Sequence, residues 1–244
     1  MPHSIPVMRR LGAGNTSGNC VIGLCERIKG QGDKMNGAQQ RKVLVLDAMG
    51  VLYQACDDVQ ELLIPYITSL NKDIGADTIK RLYVEASLGR MTSNRFWNAV
   101  DVPSENEDDY LSRHRCSDGL FKFLDSIRSR VDGIVCLSND VSEWSIKLRK
   151  RFALDQYISE WFISADIGIR KPDPEIYLKV DKFFQGSKTS FFFFDDNPKN
   201  VVAAERIGWH GYVFNQNSRR SYKEGTLSIV DSFGEAESII TGRV

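Results

Sequence analysis

The sequence has little that would tie the protein to a nucleic acid, a membrane or a disulfide framework. Lysine plus arginine and aspartate plus glutamate are equal at 32 each, so no net charge favours an acidic partner. No apolar run approaches the roughly 18 residues that a membrane-spanning helix needs. The five cysteines are scattered and form no C-x-x-C pair, and the three histidines fall in no motif. We therefore expect a soluble, cytoplasmic protein with reduced thiols that binds neither nucleic acid nor membrane.

The first 40 residues are rich in Gly, Asn, Ser and Gln and show neither a helical nor an alternating apolar period. We expect residues 1–40 to be a disordered N-terminal extension. The segment has no acidic residue before Glu26, which leaves an organellar transit peptide open as an alternative. Met35 lies just before the folded part, so a second hypothesis is that translation starts there and that residues 1–34 are not native.

From Lys42 onward, short apolar runs alternate with longer amphipathic stretches, the pattern of strands and helices around a parallel sheet. The sequence therefore predicts an α/β fold. Apolar spacings of three and four predict helices in the longer stretches between the strands. The predicted strands are residues 42–48, 133–139, 161–166, 191–196 and 212–214, and the clearest predicted helices are residues 118–130, 141–152 and 197–208.

Residues 54–114 break this alternation, because they read as several helices in succession with no convincing strand. We interpret them as an inserted all-helical cap, which leaves residues 41–53 and 115–244 as the catalytic core. Ligands of such sheets bind beyond the carboxyl ends of the strands. An insertion directly after the first strand is therefore expected to lie over that edge as a lid.

Two cap residues are candidates for substrate binding. Arg90 follows a glycine at a predicted helix end, and Trp97 lies in an arginine- and aromatic-containing segment. An arginine beside aromatic rings can hold a substrate anion against an apolar wall. The alternative, which the helical spacing favours, is that Phe96 and Trp97 pack the core of the cap.

Four of the five predicted strands end on, or lead into, a chemically reactive side chain. Asp47 ends the first strand and Ser138 the second, Lys171 follows the third, and Asp195 and Asp196 end the fourth. The carboxyl ends of parallel strands converge on one crevice. Three carboxylates gathered there would repel each other without a cation, and oxygen ligands of this kind suit Mg²⁺. A magnesium site is therefore predicted.

The cationic and hydroxyl groups at the same strand ends are suited to bind an anion. Lys171 can hold Asp47 ionised as a nucleophile and neutralise an anionic group under attack. Ser138 and the amide of Asn139 can donate hydrogen bonds to the same anion. The set is typical of phosphoryl transfer to a carboxylate, where catalysis consists mostly of positioning and charge neutralisation.

Two prolines predict sharp turns into helices beside these residues. Asp173 is expected to cap a helix that begins at Pro174, and a second helix is expected to begin at Pro198. Asn197 and Asn200 are placed to orient the neighbouring carboxylates.

These segments resemble, in order, the four motifs of the haloacid dehalogenase-like hydrolase superfamily. VLDAMGVL is similar to the nucleophile motif, IVCLSN to the Ser/Thr motif, IRKPDPEIY to the lysine motif and FFFFDDNPKNV to the acidic motif. The spacings are similar to those of subfamily I, whose members carry a helical cap of the first type. The resemblance covers about residues 41–215 and implies a Rossmann-like core with that cap inserted.

The resemblance also implies the roles of individual residues. Asp47 would be the nucleophile that forms a covalent aspartyl intermediate. Mg²⁺ would be held by Asp47, the backbone carbonyl of Met49 and Asp196, with the assistance of Asp195. Ser138 and Lys171 would bind the transferring group.

Met49 departs from the pattern of the family's phosphatases, which carry a second aspartate at this position. That aspartate protonates the leaving alkoxide and later activates the hydrolytic water, which methionine cannot do. General acid–base catalysis contributes about 10² to 10⁴ in rate, so an ordinary alkyl phosphate is expected to be a poor substrate.

Three hypotheses follow. The first is a Mg²⁺-dependent phosphohydrolase of a small phosphorylated metabolite whose leaving group needs little protonation, such as an acyl phosphate or a phosphoanhydride. The second is a 2-haloacid dehalogenase-like or phosphonatase-like hydrolase, although dehalogenases replace the acidic pair that is retained here. The third is a catalytically degenerate member that binds a phosphorylated ligand or a protein. The identity of the substrate and the oligomeric state are not determined by the sequence.

Overall fold

The computed structural model describes residues 40–185, 188–216 and 227–243, and the predictions for residues 1–39 lie outside these ranges. A parallel six-stranded sheet in the order β3-β2-β1-β4-β5-β6 forms the centre of the described part. The predicted α/β class and parallel sheet are confirmed. The strands are β1 (Arg41–Leu46), β2 (Gly133–Ser138), β3 (Glu160–Ile163), β4 (Thr189–Asp195), β5 (His210–Phe214) and β6 (Ile229–Val230).

Strand β1 lies in the middle of the sheet, and apolar layers cover both of its faces. Val43 and Val45 belong to one layer, whereas Leu44 and Leu46 belong to the other. All four side chains are at most 1% exposed. A strand that is buried on both faces reads as a continuous apolar run, which explains why the segment shows no polar alternation.

Helices flank the sheet and fill the connections between its strands. The α-helices of the described residues are α1 (Ile64–Leu70), α2 (Ala76–Ser87), α3 (Ser93–Ala99), α4 (Glu107–Ser112), α5 (Leu120–Ile127), α6 (Ser142–Arg151), α7 (Ser164–Ile167), α8 (Pro174–Phe183), α9 (Pro198–Arg206) and α10 (Phe233–Thr241). A π-helical turn (Val59–Leu63) leads into α1. Short 3₁₀ turns occupy Ser104–Asn106 and Leu154–Gln156.

Both proline-initiated helices are present where the sequence predicts them. The side chain of Asp173 accepts a hydrogen bond from the backbone N–H of Glu175 at the start of α8. The side chain of Asn197 likewise accepts from the backbone N–H of Lys199 at the start of α9. These local caps fix the direction in which the chain leaves the sheet edge.

The segment between β1 and the last helix before β2 is helical, as predicted, apart from isolated β-bridges at Tyr53. Its aromatic side chains share one apolar layer with the core. Trp97 of α3 and Trp144 of α6 pack with ring centroids 6.0 Å apart, and both indole N–H groups donate to Glu107. The division into a core and a separate cap remains a prediction, because this apolar layer runs through both.

Two further observations concern membrane-spanning helices and cysteines. Among the described residues, no helix combines the length and apolar character needed to cross a bilayer. Cys56, Cys116 and Cys136 carry free thiols, and Cys20 and Cys25 lie outside the described ranges.

Candidate active site

The order of the sheet places the predicted site residues at one edge. Strand β1 lies between β2 and β4, and Leu46 pairs in register with Cys136 and Phe194. Asp47, Ser138 and Asp195 therefore lie side by side at the ends of their strands. A cleft of about 240 Å³ opens at this edge. Its lining includes Asp47, Met49, Ser138, Asn139, Lys171 and Asp196.

Lys171 is the centre of the buried charge network. Its Nζ donates to the carbonyl of Leu137 at 2.6 Å, to Oδ2 of Asp195 at 2.7 Å and lies 2.8 Å from Oδ1 of Asp47. An ammonium group has three donors, so all three are used. Burial alone would lower the pKa of Lys171, but the charges of Asp195 and Asp47 outweigh it and raise that pKa. Lys171 therefore remains charged and fixes both carboxylates.

Asp47 is held through one of its two carboxylate oxygens. Oδ1 faces Lys171 and also accepts from the backbone N–H of Ala48 at 2.7 Å. Burial and the charge of Asp195 raise the pKa of Asp47, and the charge of Lys171 opposes them. Oδ2 has no hydrogen-bond partner among the residues that the structure describes. The carboxylate is thus oriented while one oxygen is left available for attack.

Asp195 lies behind the cleft, where protein donors surround its carboxylate. It is fully buried, and it does not line the cleft. Its oxygens accept from Lys171, from the backbone N–H of Asn197 at 2.8 Å and from Nδ2 of Asn200 at 3.0 Å. Asn200 thus orients the carboxylate, as predicted. We attribute to Asp195 the positioning of Lys171, because its oxygens are occupied by protein donors.

Asp196 faces the cleft and packs against Gly50. A Cβ atom added to Gly50 would lie 2.6 Å from both Cβ and Cγ of Asp196, so the chain approaches this close only because the residue is glycine. Oxygens of Asp47, Asp195 and Asp196 lie within 4.8 Å of one another. A cluster of carboxylates with a single buried ammonium fits a hard divalent cation such as Mg²⁺.

Ser138 and Asn139 follow β2 into the cleft. Oγ of Ser138 is buried and has no hydrogen-bond partner within the described part of the chain. A buried hydroxyl without a partner is costly, and a ligand oxygen would satisfy it. The side chain of Asn139 makes two hydrogen bonds with the backbone of Lys171, at 2.9 and 2.8 Å. That side chain therefore positions Lys171, which leaves Ser138 as the hydroxyl donor of the site.

The structure does not bring Arg90 or Trp97 to the cleft, which corrects both substrate-binding assignments. Trp97 is fully buried and its Nε1 donates to Glu107 at 2.9 Å, because α3 turns this face toward the apolar layer shared with α6. Arg90 lies beyond the end of α2, where it is exposed and pairs with Glu85 at 2.9 Å. The alternative for Trp97, packing in the interior, is the correct one.

The cleft is also lined by residues that the sequence did not identify, among them Asp58, Tyr83 and Arg170. The guanidinium of Arg170 lies 5.5 Å from the centre of the Tyr83 ring, and the Tyr83 hydroxyl donates to the backbone carbonyl of Asn139 at 2.9 Å. Arg170 could have been predicted from the sequence, since it directly precedes Lys171. Asp58 and Tyr83 could not, because the sequence does not show which face of an inserted helix meets the cleft.

Comparison with known proteins gives a consistent result. A family model described as haloacid dehalogenase-like hydrolase matches residues 42–208. A relative from Arabidopsis thaliana, flavin mononucleotide hydrolase 1, chloroplastic, is 24% identical over 204 residues, or 81% of this chain and 80% of the relative.

Two solved structures illustrate the similarity in fold. A HAD family enzyme from Bacteroides thetaiotaomicron, in complex with magnesium and inorganic phosphate, gives a TM-score of 0.56 at 20% identity, over 75% of this chain and 98% of that one. The L-2-haloacid dehalogenase of Xanthobacter autotrophicus, with chloropropionic acid covalently bound, gives a TM-score of 0.58 at 16% identity, over 84% and 100%. The family model spans more than half of the chain and all four strand ends of the cleft, so this protein belongs to the haloacid dehalogenase-like hydrolases.

Proposed function

We propose that this hydrolase is a Mg²⁺-dependent phosphohydrolase of a small phosphorylated metabolite whose leaving group needs little protonation. The observation that carries the proposal is the cleft itself. In it, Asp47 is held by the buried ammonium of Lys171, Asp196 lies nearby, and Met49 replaces an acid. The volume of about 240 Å³ favours a small molecule.

In the proposed reaction, the free oxygen of Asp47 attacks phosphorus and the bond between phosphorus and the leaving group breaks. Ser138 donates a hydrogen bond to a phosphoryl oxygen, which gives its unpartnered hydroxyl an acceptor. Lys171 keeps Asp47 ionised and oriented throughout. Asp47, Asp196 and the backbone carbonyl of Met49 would hold Mg²⁺, which supplies charge neutralisation at the phosphoryl oxygens when bound.

A dehalogenase-like reaction is the second candidate, favoured by the similarity in fold to the Xanthobacter enzyme and by the apolar side chain of Met49 in the cleft. The electrostatics argue for phosphorus instead. The carboxylate of Asp196 would repel the carboxylate of a 2-haloacid, whereas a bound cation between Asp196 and Asp47 would attract a phosphoryl group. A non-catalytic role is the third candidate, and the intact network around Lys171 argues against it.

Product release from three substrates separates these candidates. Acetyl phosphate, flavin mononucleotide and 2-chloropropionate should each be tested with Mg²⁺ and with EDTA, alongside the Asp47→Asn variant. We expect Mg²⁺-dependent phosphate release from acetyl phosphate, slower release from the alkyl ester flavin mononucleotide, and no chloride. Release of chloride that is insensitive to EDTA would establish the dehalogenase. No product from any substrate would favour the non-catalytic role.

The cellular location belongs to the same proposal. Free thiols at Cys56, Cys116 and Cys136 are consistent with a reducing compartment, for which the cytoplasm is our inference. The Arabidopsis relative is chloroplastic by name. Fractionation of the cells that express the protein would distinguish the two locations.

A further inference from the structure

We propose that Asp58 is the general base of the second half-reaction, in which water hydrolyses the phosphorylated form of Asp47. This inference rests on the proposed function. A leaving group that departs without a proton removes the need for an acid in the first step only. The attacking water must still lose a proton in the second step, whatever the substrate was, and Met49 cannot accept it.

Asp58 lies in the wall of the cleft that also contains Asp47. It lies at the end of the loop that follows Met49, directly before the π-helical turn Val59–Leu63, and it lines the same cleft as Asp47. Ser138, Lys171 and Asp196 reach this cleft from the sheet edge, so Asp58 contributes a carboxylate from the inserted segment instead. Its side chain is 6% exposed. A carboxylate in this position is desolvated yet open to a molecule inside the cleft.

Two buried side chains support the carboxylate from behind. The hydroxyl of Tyr110 donates to Oδ2 of Asp58 at 3.3 Å, and Nε2 of His114 lies 4.0 Å from the same oxygen. Nδ1 of His114 lies 3.3 Å from the carbonyl of Leu111, which can only accept, so we assign the ring proton to Nδ1. The other ring nitrogen, Nε2, faces Asp58.

His114 is 1% exposed, and its Nε2 has no hydrogen-bond partner in the described ranges. A buried ring nitrogen without a partner is costly in a structure that serves packing alone. Tyr110 and His114 thus hold the carboxylate of Asp58 from the protein side, at the wall of the cleft.

The other carboxylates of the cleft have different tasks. Asp47 is the nucleophile of the proposed reaction and Asp196 the cation ligand. Asp57 is exposed, and its Oδ1 accepts from the backbone N–H of Gln60 at 3.0 Å, which caps the helical turn. Asp58 occupies the N-cap position itself, but its side chain makes no capping bond. Asp58 is therefore the lining carboxylate whose orientation the backbone does not explain.

In the second half-reaction, water replaces Asp47 on phosphorus. A water oxygen bonds to phosphorus while the water proton passes to the carboxylate of Asp58. The bond between phosphorus and the oxygen of Asp47 breaks, and its electron pair returns to Asp47 as a carboxylate. The products are inorganic phosphate and the free enzyme, with the proton on Asp58 released to solvent before the next cycle.

Burst kinetics with 4-nitrophenyl phosphate and Mg²⁺ test the assignment, since nitrophenolate reports the first step and phosphate the second. In Asp58→Asn we expect an undiminished burst, followed by turnover that is slower by about 10² to 10⁴. The phosphorylated enzyme should accumulate and be visible in the intact mass. Asp57→Asn, which changes the neighbouring carboxylate, is the matched control and should keep the turnover of the unmodified protein. Asp58→Glu should restore part of the second step.

The possible results are distinct. If Asp58→Asn slows the burst and the steady state equally, or accumulates no phosphorylated enzyme, Asp58 is not the base. If the unmodified protein releases neither nitrophenolate nor phosphate in the presence of Mg²⁺, the proposed function itself fails. Should Asp58→Asn not fold, Asp58→Glu provides the test, because it keeps a carboxylate and moves it by one methylene. Decay of its phosphorylated form should be slower than in the unmodified protein while the burst is unchanged, and an equal effect on both steps would refute the assignment.

Discussion

Replacing Gly50 by alanine is expected to distort the Asp196 side of the cleft. Gly50 has a φ of +72°, in the left-handed region, and its added Cβ would lie 2.6 Å from Cβ and Cγ of Asp196 and 2.9 Å from Oδ2. The first two atoms are close to the backbone of Asp196, so they cannot turn away as the tip of a long side chain would. Either the backbone at Gly50 or Asp196 itself must move.

The size of the effect follows from two costs. A left-handed conformation costs a residue with a Cβ atom roughly 1–2 kcal/mol. Forcing extra volume into a packed site costs roughly 1–3 kcal/mol more. We therefore expect Gly50→Ala to lower the free energy of unfolding by roughly 2–5 kcal/mol. Because Asp196 is a proposed cation ligand, the Mg²⁺ concentration needed for half-maximal activity should rise.

Gly168→Ala is a matched control. Gly168 has a φ of +77°, almost the same as Gly50, but nothing lies within 4 Å of its added Cβ. This variant carries the backbone cost without the overlap, so the difference between the two variants isolates the contact with Asp196.

Urea unfolding and a Mg²⁺ titration of acetyl phosphate hydrolysis measure the two effects. Gly168→Ala should lose about 1–2 kcal/mol and keep its Mg²⁺ response. Equal losses of stability in both variants, with equal Mg²⁺ responses, would refute the argument that Gly50 is required by its contact with Asp196.

Two further predictions concern the missing acid and a buried carboxylate. Met49→Asp should raise hydrolysis of flavin mononucleotide by up to about 10² to 10⁴, and an unchanged rate would undermine the leaving-group argument. Glu107 accepts from the indole N–H groups of Trp97 and Trp144 at 2.9 and 2.8 Å. Burial alone would raise the pKa of Glu107. Its hydrogen bonds, of which the one with Lys147 has the largest effect, outweigh burial and hold that pKa below its ordinary value. Its stabilisation is therefore present above the unfolded pKa and lost as pH falls through the folded pKa. Glu107→Gln should lower the free energy of unfolding by about 1–3 kcal/mol at neutral pH and make it less dependent on pH in the acid range. Urea unfolding at a series of pH values would measure both effects. A variant with the same stability at every pH as the unmodified protein would contradict this prediction.

Much of the site was predictable because its geometry follows from local rules. An apolar run buried on both faces predicts a parallel strand, and parallel strands in one sheet end at one edge. The sequence therefore predicts that Asp47, Ser138 and Asp196 lie close together, and in the structure they line the same cleft. The helix that begins after Asp173 was predictable for a similar reason, since capping involves only adjacent residues.

Other features depend on contacts between distant parts of the chain. Asp195 looks equivalent to Asp196 in sequence, but only the fold shows that Lys171 and Asn200 occupy its oxygens. The apolar side chain of Trp97 would suit either the wall of a binding site or the protein interior. The packing of α3 against α6 places it in the interior.

The sequence by itself determined the parallel sheet, the residues at its strand ends and the absence of an acid at Met49. Only the tertiary structure decided which side chains of the inserted segment face Asp47. Helical periodicity identifies an apolar face, but the partner of the opposite face is set by long-range packing. Asp58 and His114 illustrate this, because they lie far apart in sequence and meet beside the cleft only when the chain folds.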